Sequence, residues 1–361
     1  MVVLPSTDDS LESLQRTTIP SGSPAVHYRV DRILGSGGMA IAFFALRMAP
    51  DGQTPVVLKI TRPGMVRGAG AAGILSVRKE SVALGRLNER VPPTPFVVRL
   101  IEGDALTVMC GGTTLELPWL ALEYVHGGFE GTTLEERIAY SVQRTGFAFD
   151  PNRAALAIAC MASGLDAIHE VGVIHRDIKP SNVLCCGFGE DEVLKIADFG
   201  IARPRGVAAT FGGIPVGTPG YAAPEQVMLD DARLGTASDV FSLAGVIFRM
   251  LTGEDYLPAA TPVDCVVLAQ QPARRSITES RWLSPELRER QGACATIDMA
   301  LGRATAADSQ HRPQSGSTLA ALCLARMYER GLGVDKNEAR MFAWLSWGEE
   351  HGNRDDDHQP S

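Results

Sequence analysis

A chain of 361 residues that is 45% hydrophobic and 21% charged has enough apolar matter for two or three units with cores of their own, and too much to be mostly disordered. Its formal net charge of −8, with no cluster of Lys and Arg, argues against a duplex-binding surface, because nucleic-acid affinity rests on many grouped cations displacing counterions. Seven cysteines, an odd number that includes the adjacent Cys185 and Cys186 and no Cys-x-x-Cys pair, fit free thiols in a reducing cytoplasm better than a disulfide framework.

Met1-Val2-Val3-Leu4-Pro5 has neither a basic start nor a continuous apolar core, so it does not read as a secretory signal. No later run reaches the roughly 18 apolar residues that a membrane span needs, and a cytoplasmic protein without a span is expected. Ser6 to Pro24 is rich in Ser, Thr, Asp and Pro without apolar periodicity, the look of a flexible leader, here drawn over residues 1–27. From Tyr28 short alternating apolar runs around glycines predict an antiparallel sheet. A helical pattern interrupts it near Lys79 to Leu87, where Val82, Leu84 and Leu87 can share a face, and the glycine-rich stretch from Arg67 to Gly73 makes the approach to that helix irregular. Strand-like runs resume at Phe96–Leu100 and Leu117–Val125. After Gly127-Gly128 the pattern is helical: Asp150-Pro151 is an N-cap and first-turn pair, Ala154 to Ile168 is apolar nearly all round, and further helices are expected from Ala237 to Leu251 and from Ser284 to about Arg303.

The chemistry concentrates in His175-Arg176-Asp177-Ile178-Lys179-Pro180-Ser181-Asn182, followed by Asp198-Phe199-Gly200. In order, these supply a carboxylate to take a hydroxyl proton, a lysine, an amide oxygen for a metal and a second metal-binding carboxylate, which are the parts of a phosphoryl-transfer site. At these residues the sequence resembles the eukaryotic-type (Hanks-type) Ser/Thr protein kinases, with wording nearest to their bacterial members. The resemblance runs from Tyr28 to Leu322 and implies an α+β, bilobal protein kinase fold: a small antiparallel-sheet N-lobe over 28–126 and a larger helical C-lobe over 127–322.

It also implies roles. Asp177 accepts the substrate proton and aims the hydroxyl, Lys179 neutralises charge on the transferring group, and Asn182 and Asp198 hold Mg²⁺ beside ATP. Gly35-Ser36-Gly37-Gly38-Met39-Ala40 resembles the glycine loop over the ATP phosphates, although Ala40 replaces the third glycine and Ala42 the valine that covers adenine. Lys59, ending Val56-Val57-Leu58-Lys59, matches the lysine on the α- and β-phosphates, with Glu80 as its helix partner. Leu34, Glu123 and Val125 fall at further nucleotide-contact positions. Gly217-Thr218-Pro219-Gly220-Tyr221-Ala222-Ala223-Pro224-Glu225 resembles the end of an activation segment, with Thr218 bridging Asp177 and Lys179 and Glu225 paired to Arg312. Asp239 matches the buried aspartate that supports the catalytic loop, and His175 reads as a packing residue. Arg176 before the catalytic aspartate points to control by an activation-segment phosphate, with Thr210 the candidate phosphosite.

Beyond the kinase match, Leu324 to Val334, then Glu338-Ala339-Arg340 and Trp344, resembles one Sel1-like repeat over 319–353. A single repeat cannot bury a core alone, so it is expected to share the last kinase helix, forming a C-terminal helical hairpin before a polar tail over 354–361, and it offers a site for a protein partner. The function so implied is transfer of the γ-phosphate of ATP to Ser or Thr hydroxyls of protein substrates. Two rivals stay open: a pseudokinase scaffold that binds nucleotide or partners, motivated by Ala40, Ala42 and the irregular approach to Glu80, and a small-molecule kinase of related fold.

Overall fold

In the first half of the chain, apolar residues that alternate along each strand put one sheet face in a core. The computed structural model describes residues 2–4, 11–90, 93–199 and 218–329, without the side chains of 2–4, 68–76, 190 and 325–329. These residues divide into two units, one holding 2–4, 11–90, 93 and 98–124, the other 94–97, 125–199 and 218–329.

The first unit is a seven-stranded sheet of β1 (Val2–Leu4), β2 (Thr18–Pro20), β3 (His27–Ser36), β4 (Ala40–Ala49), β5 (Gly52–Thr61), β6 (Leu100–Cys110) and β7 (Thr113–Glu123). Across the sheet the order is β1-β6-β7-β5-β4-β3-β2, antiparallel except for β1 beside β6. Tyr28 and Val30 from β3, Ile41 and Phe43 from β4, Leu58 and Ile60 from β5 and Trp119 from β7 share one buried cluster. The period of two therefore turns Lys59, between Leu58 and Ile60, to the opposite face. Gly111 and Gly112 join β6 to β7 with φ of 58° and 77°, the pair of left-handed residues that a two-residue hairpin of matching twist requires.

Two expectations for this unit are corrected. Residues 11–27 are not a flexible leader: Leu11–Leu14 is a 3₁₀ helix, and Leu11, Leu14 and Ile19 have no exposed surface. The Arg16 N–H donates to Val30 O at 3.0 Å and the Val30 N–H to Thr17 O at 2.9 Å, while Glu102 of β6 accepts from Ser21 Oγ, the Gly22 N–H and Tyr28 Oη at 2.5, 3.1 and 2.6 Å. The approach to the Glu80 helix is not irregular either. Helix α1 (Pro63–Asn88) runs unbroken through Gly68, Gly70 and Gly73, started by Pro63 with its φ already helical and sustained by the alanines among the glycines. On α1, Ala83, Leu84 and Leu87 are buried with Glu80, whereas Val82 is 56% exposed and does not share their face.

The second unit is helical: α2 (Leu134–Thr145), α3 (Pro151–Glu170), α4 (Pro224–Val227), α5 (Thr236–Thr252), α6 (Pro262–Gln270), α7 (Pro285–Arg288), α8 (Gln291–Ala304) and α9 (Gly316–Glu329). Asp150 caps α3 by accepting the N–H groups of Asn152 and Arg153 at 2.9 and 3.0 Å, with Pro151 in the first turn. The helix expected from Ser284 is two, α7 and α8, parted at Glu289 and Arg290. Between α3 and α4 lies the hairpin of β8 (Val183–Cys186) and β9 (Val193–Ile196), and Phe96 and Val97 lie beside β9 instead of starting a strand of the sheet. Asp166 of α3 accepts the Gly316 N–H at 2.7 Å and the Ser317 N–H at 3.0 Å, fixing the start of α9. Thr210, Gly217 and all of the Sel1-like stretch beyond Glu329 lie outside the described residues.

Candidate active site

The loop that carries His175 to Asn182 follows α3 and is held by Asp239 of α5. Asp239, fully buried on α5, accepts the His175 N–H at 2.8 Å and the Arg176 N–H at 2.7 Å, and its Oδ2 also meets His169 Nε2 at 2.8 Å. These bonds hold Arg176 at φ 69°, a left-handed conformation that costs a side-chain-bearing residue about 1–2 kcal/mol. Gln226, which sequence reasoning missed, adds a bond from its Nε2 to Arg176 O at 2.9 Å.

His175 is buried without exposed surface. Its Nε2–H donates to Ala197 O at 3.0 Å, which leaves Nδ1 to accept the Asp177 N–H at 3.2 Å. Burial pushes its pKa below the ordinary imidazole value, so it is a neutral spacer between the loop and the residue before Asp198.

Four of the expected side chains converge. The Thr218 hydroxyl donates to Asp177 Oδ1 at 3.1 Å, Lys179 Nζ lies 3.0 Å from Asp177 Oδ2 and 3.1 Å from Thr218 Oγ1, and Asn182 Nδ2 donates to Asp177 O at 2.8 Å and to Oδ2 at 3.0 Å. With its NH₂ so committed, Asn182 has its amide oxygen left as a hard donor. Asp198, exposed and at φ 55°, is brought alongside by the Ala197 N–H bonded to Asn182 O at 2.9 Å. One amide oxygen and one carboxylate suit Mg²⁺, and among the described residues no group of three His, Cys, Asp or Glu forms a protein-only cage. That donor set fits an ion whose coordination is completed by phosphate oxygens and water.

Behind the loop, Arg312 grips Glu225 through two bonds of 2.7 and 3.0 Å, with 0% and 2% of the side chains exposed. Ser238 Oγ donates to Glu225 Oε1 at 2.6 Å. Sequence reasoning did not find the neighbouring cluster in which buried Arg137 meets Glu192, and Arg153 bridges Glu192 and Glu130 at 2.7 and 2.6 Å. Charges 39 and 55 residues apart leave no local signal of such pairing.

In the first unit, Lys59 Nζ bonds Glu80 Oε1 at 3.0 Å, with the Glu80 side chain 2% exposed. Gly35 and Ser36 end β3, and Gly37 and Gly38 begin the turn into β4; all four are exposed, and the Gly37 N–H closes the turn on Ala40 O at 3.0 Å. A methyl group added at Gly35 or Gly38 would meet nothing within 4 Å, so neither glycine is demanded by packing. Ala42 pairs in register with Lys59, Leu34 is 43% exposed on β3, and Glu123 at the end of β7 accepts the Arg99 N–H at 2.9 Å. Val125 is buried in the second unit.

Residues 28–312 match the family model described as protein kinase domain. The chain is 30% identical over 312 residues to serine/threonine-protein kinase PknJ of Mycobacterium tuberculosis, covering 86% of this chain and 47% of that one. It is 30% identical over 301 residues to PknB of the same organism, covering 81% and 42%. For pkn2 of Myxococcus xanthus the identity is 30%, with 81% and 31% covered, so the chain spans less than half the length of these curated relatives. The solved Mycobacterium tuberculosis PknI kinase domain aligns with a TM-score of 0.56 at 22% identity, over 84% of this chain and 98% of that one. At that identity it speaks for the fold: a sheet-rich first unit and a helical second.

Proposed function

The chain belongs to the protein kinase domain family, and from that premise we propose that it transfers the γ-phosphate of ATP to Ser and Thr hydroxyls of protein substrates. One observation carries this reading: Asp177, Lys179, Asn182 and Thr218 meet in one hydrogen-bonded group at the end of a braced loop. In this proposal Asp177 aims the substrate hydroxyl and takes its proton as the oxygen bonds to the γ-phosphorus and the bond to ADP breaks. Lys179 faces the negative charge gathering on the transferred group, and Thr218, tied to both, marks where a hydroxyl amino acid sits. Asn182 and Asp198 would hold Mg²⁺, which supplies charge neutralisation on the phosphates. Lys59, oriented by Glu80, would hold the α- and β-phosphates, with Leu34, the glycine turn, Ala42, Glu123 and Val125 as the remaining nucleotide contacts.

The seven unpaired thiols support a reducing, cytoplasmic setting, and no described helix is long and apolar enough to cross a membrane. For residues 319–353 we keep the reading of a Sel1-like repeat that shares α9 and offers a surface to a protein partner.

The test is phosphate incorporation from γ-labelled ATP with Mg²⁺ into a generic basic protein, beside Asp177→Ala. Label in the wild type and none in the variant is the expected result. Nucleotide binding without transfer would replace this reading with the scaffold one.

A further inference from the structure

Arg62 stands between β5 and α1, and one residue there holds three partners of the glycine turn. Its backbone N–H donates to Met39 O at 2.9 Å, its Nε to Gly37 O at 2.7 Å and its Nη2 to Ser36 Oγ at 2.7 Å. Its own carbonyl accepts the N–H groups of Met65 and Val66 at 3.0 and 3.3 Å, so the residue that grips the turn also begins the helix bearing Glu80.

For the helix alone, arginine is a poor choice. It occupies the cap position, where Ser, Thr, Asp or Asn would satisfy free N–H groups, and it makes no side-chain cap bond. It sets a cation at the positive end of a 26-residue helix whose first turn has no acidic residue. No carboxylate among the described residues pairs with it. A local rule broken in this way marks a functional position more often than a structural one.

The turn explains what is gained. Gly37 and Gly38 lack side chains, and where a Cβ would stand Gly38 has nothing within 4 Å and Gly37 only Ala40 O at 3.6 Å, so the peptide between them could face either way at little cost. A trans peptide is planar, with N–H and C=O on opposite sides. Fixing Gly37 O on the guanidinium therefore aims the Gly38 N–H away from Arg62, and no acceptor among the described residues takes it. We propose that Arg62 is a positioning residue for the nucleotide, which presets the Gly37–Gly38 peptide so that an N–H, not a carbonyl oxygen, meets the phosphates. The inference rests on the proposed kinase reading and concerns how affinity is kept in a turn where Ala40 and Ala42 stand in place of a glycine and a larger apolar side chain.

The experiment compares wild type, Arg62→Ala and Arg62→Lys in steady-state kinetics and, without nucleotide, in amide hydrogen exchange at Gly37, whose N–H is bonded to Ala40 O, and at residue 62, whose N–H is bonded to Met39 O. Loss of a charge-assisted grip should raise the KM for ATP on the order of tenfold in Arg62→Ala, with kcat within about threefold and the KM for protein substrate unchanged. Arg62→Lys should recover part of the KM, because it keeps the charge but not the fork that spans two acceptors. Exchange at the bonded amides of Gly37 and residue 62 should quicken in both variants, more in the alanine. An unchanged KM for ATP, or a fall in kcat that tracks a lower melting temperature, would overturn the proposal. If the wild type neither binds nor uses ATP, the kinase reading fails, and exchange still decides whether Arg62 sets the turn, with unchanged exchange overturning that too.

Discussion

Replacing Asp239 with asparagine should harm both stability and turnover, by amounts that the geometry sets. Two oxygens serve three donors: Oδ2 takes the His175 N–H and His169 Nε2, and Oδ1 takes the Arg176 N–H. An asparagine can put its one oxygen where Oδ2 was, but its NH₂ then confronts the Arg176 N–H. A charged hydrogen bond worth about 1.5–3 kcal/mol is lost and a buried donor is left unpaired at about 1–3 kcal/mol, so the expected loss is about 3–5 kcal/mol. The same bond holds Arg176 at φ 69°. Once released, the residue relaxes toward ordinary backbone angles and moves Asp177, so kcat should fall on the order of a hundredfold while the KM for ATP changes little. Urea unfolding and steady-state kinetics measure the two effects. Asp239→Asn with stability within about 0.5 kcal/mol of wild type and kcat within about threefold would refute the reasoning.

Leu14→Ala should cost about 2–4 kcal/mol, because the side chain has no exposed surface, and with a urea slope of about 2 kcal/mol/M the midpoint should fall by about 1–2 M; a flexible leader would give no shift. Arg312→Ala strands a buried Glu225 and should destabilise by about 3–5 kcal/mol in the same assay. His175 is held neutral by burial, so the unfolded chain binds the extra proton first as pH falls below about 6.5. Stability should therefore be full above that value and decline beneath it, and melting temperature against pH should slope less steeply there in His175→Gln than in wild type.

The convergence of Asp177, Lys179 and Asn182 was legible because it is local: the three lie within six residues, and each side chain type has few other reasons to stand in that order. Thr218 and Arg312 could be paired with distant partners only through the order of the motifs, since no spacing rule links residues 87 apart. Other features left no trace that periodicity could read. The 3₁₀ helix over Leu11–Leu14 and the three residues of β2 are shorter than any window in which a period can be counted, and Ser, Thr and Pro around them pointed to a loop. The glycines of α1 argued against a helix one by one, at about 1 kcal/mol each, and the alanines between them, strong helix formers, favour the helix that forms. Gln226 is a common residue whose value lies wholly in reaching Arg176 O.

The two outermost strands of the sheet, β1 and β2, are three residues each, and both precede residue 28, where the family match begins. They pair with Val108–Cys110 at the end of β6 and with His27–Arg29 at the start of β3, and so satisfy part of the outer edge of each strand. A short outer strand, one of them ending in Pro20, is a poor template for another chain. A form trimmed to start at residue 28 would thus lose stability, uncover those edge positions together with the apolar seat of Leu11, Leu14 and Ile19, and tend to gather with its own copies.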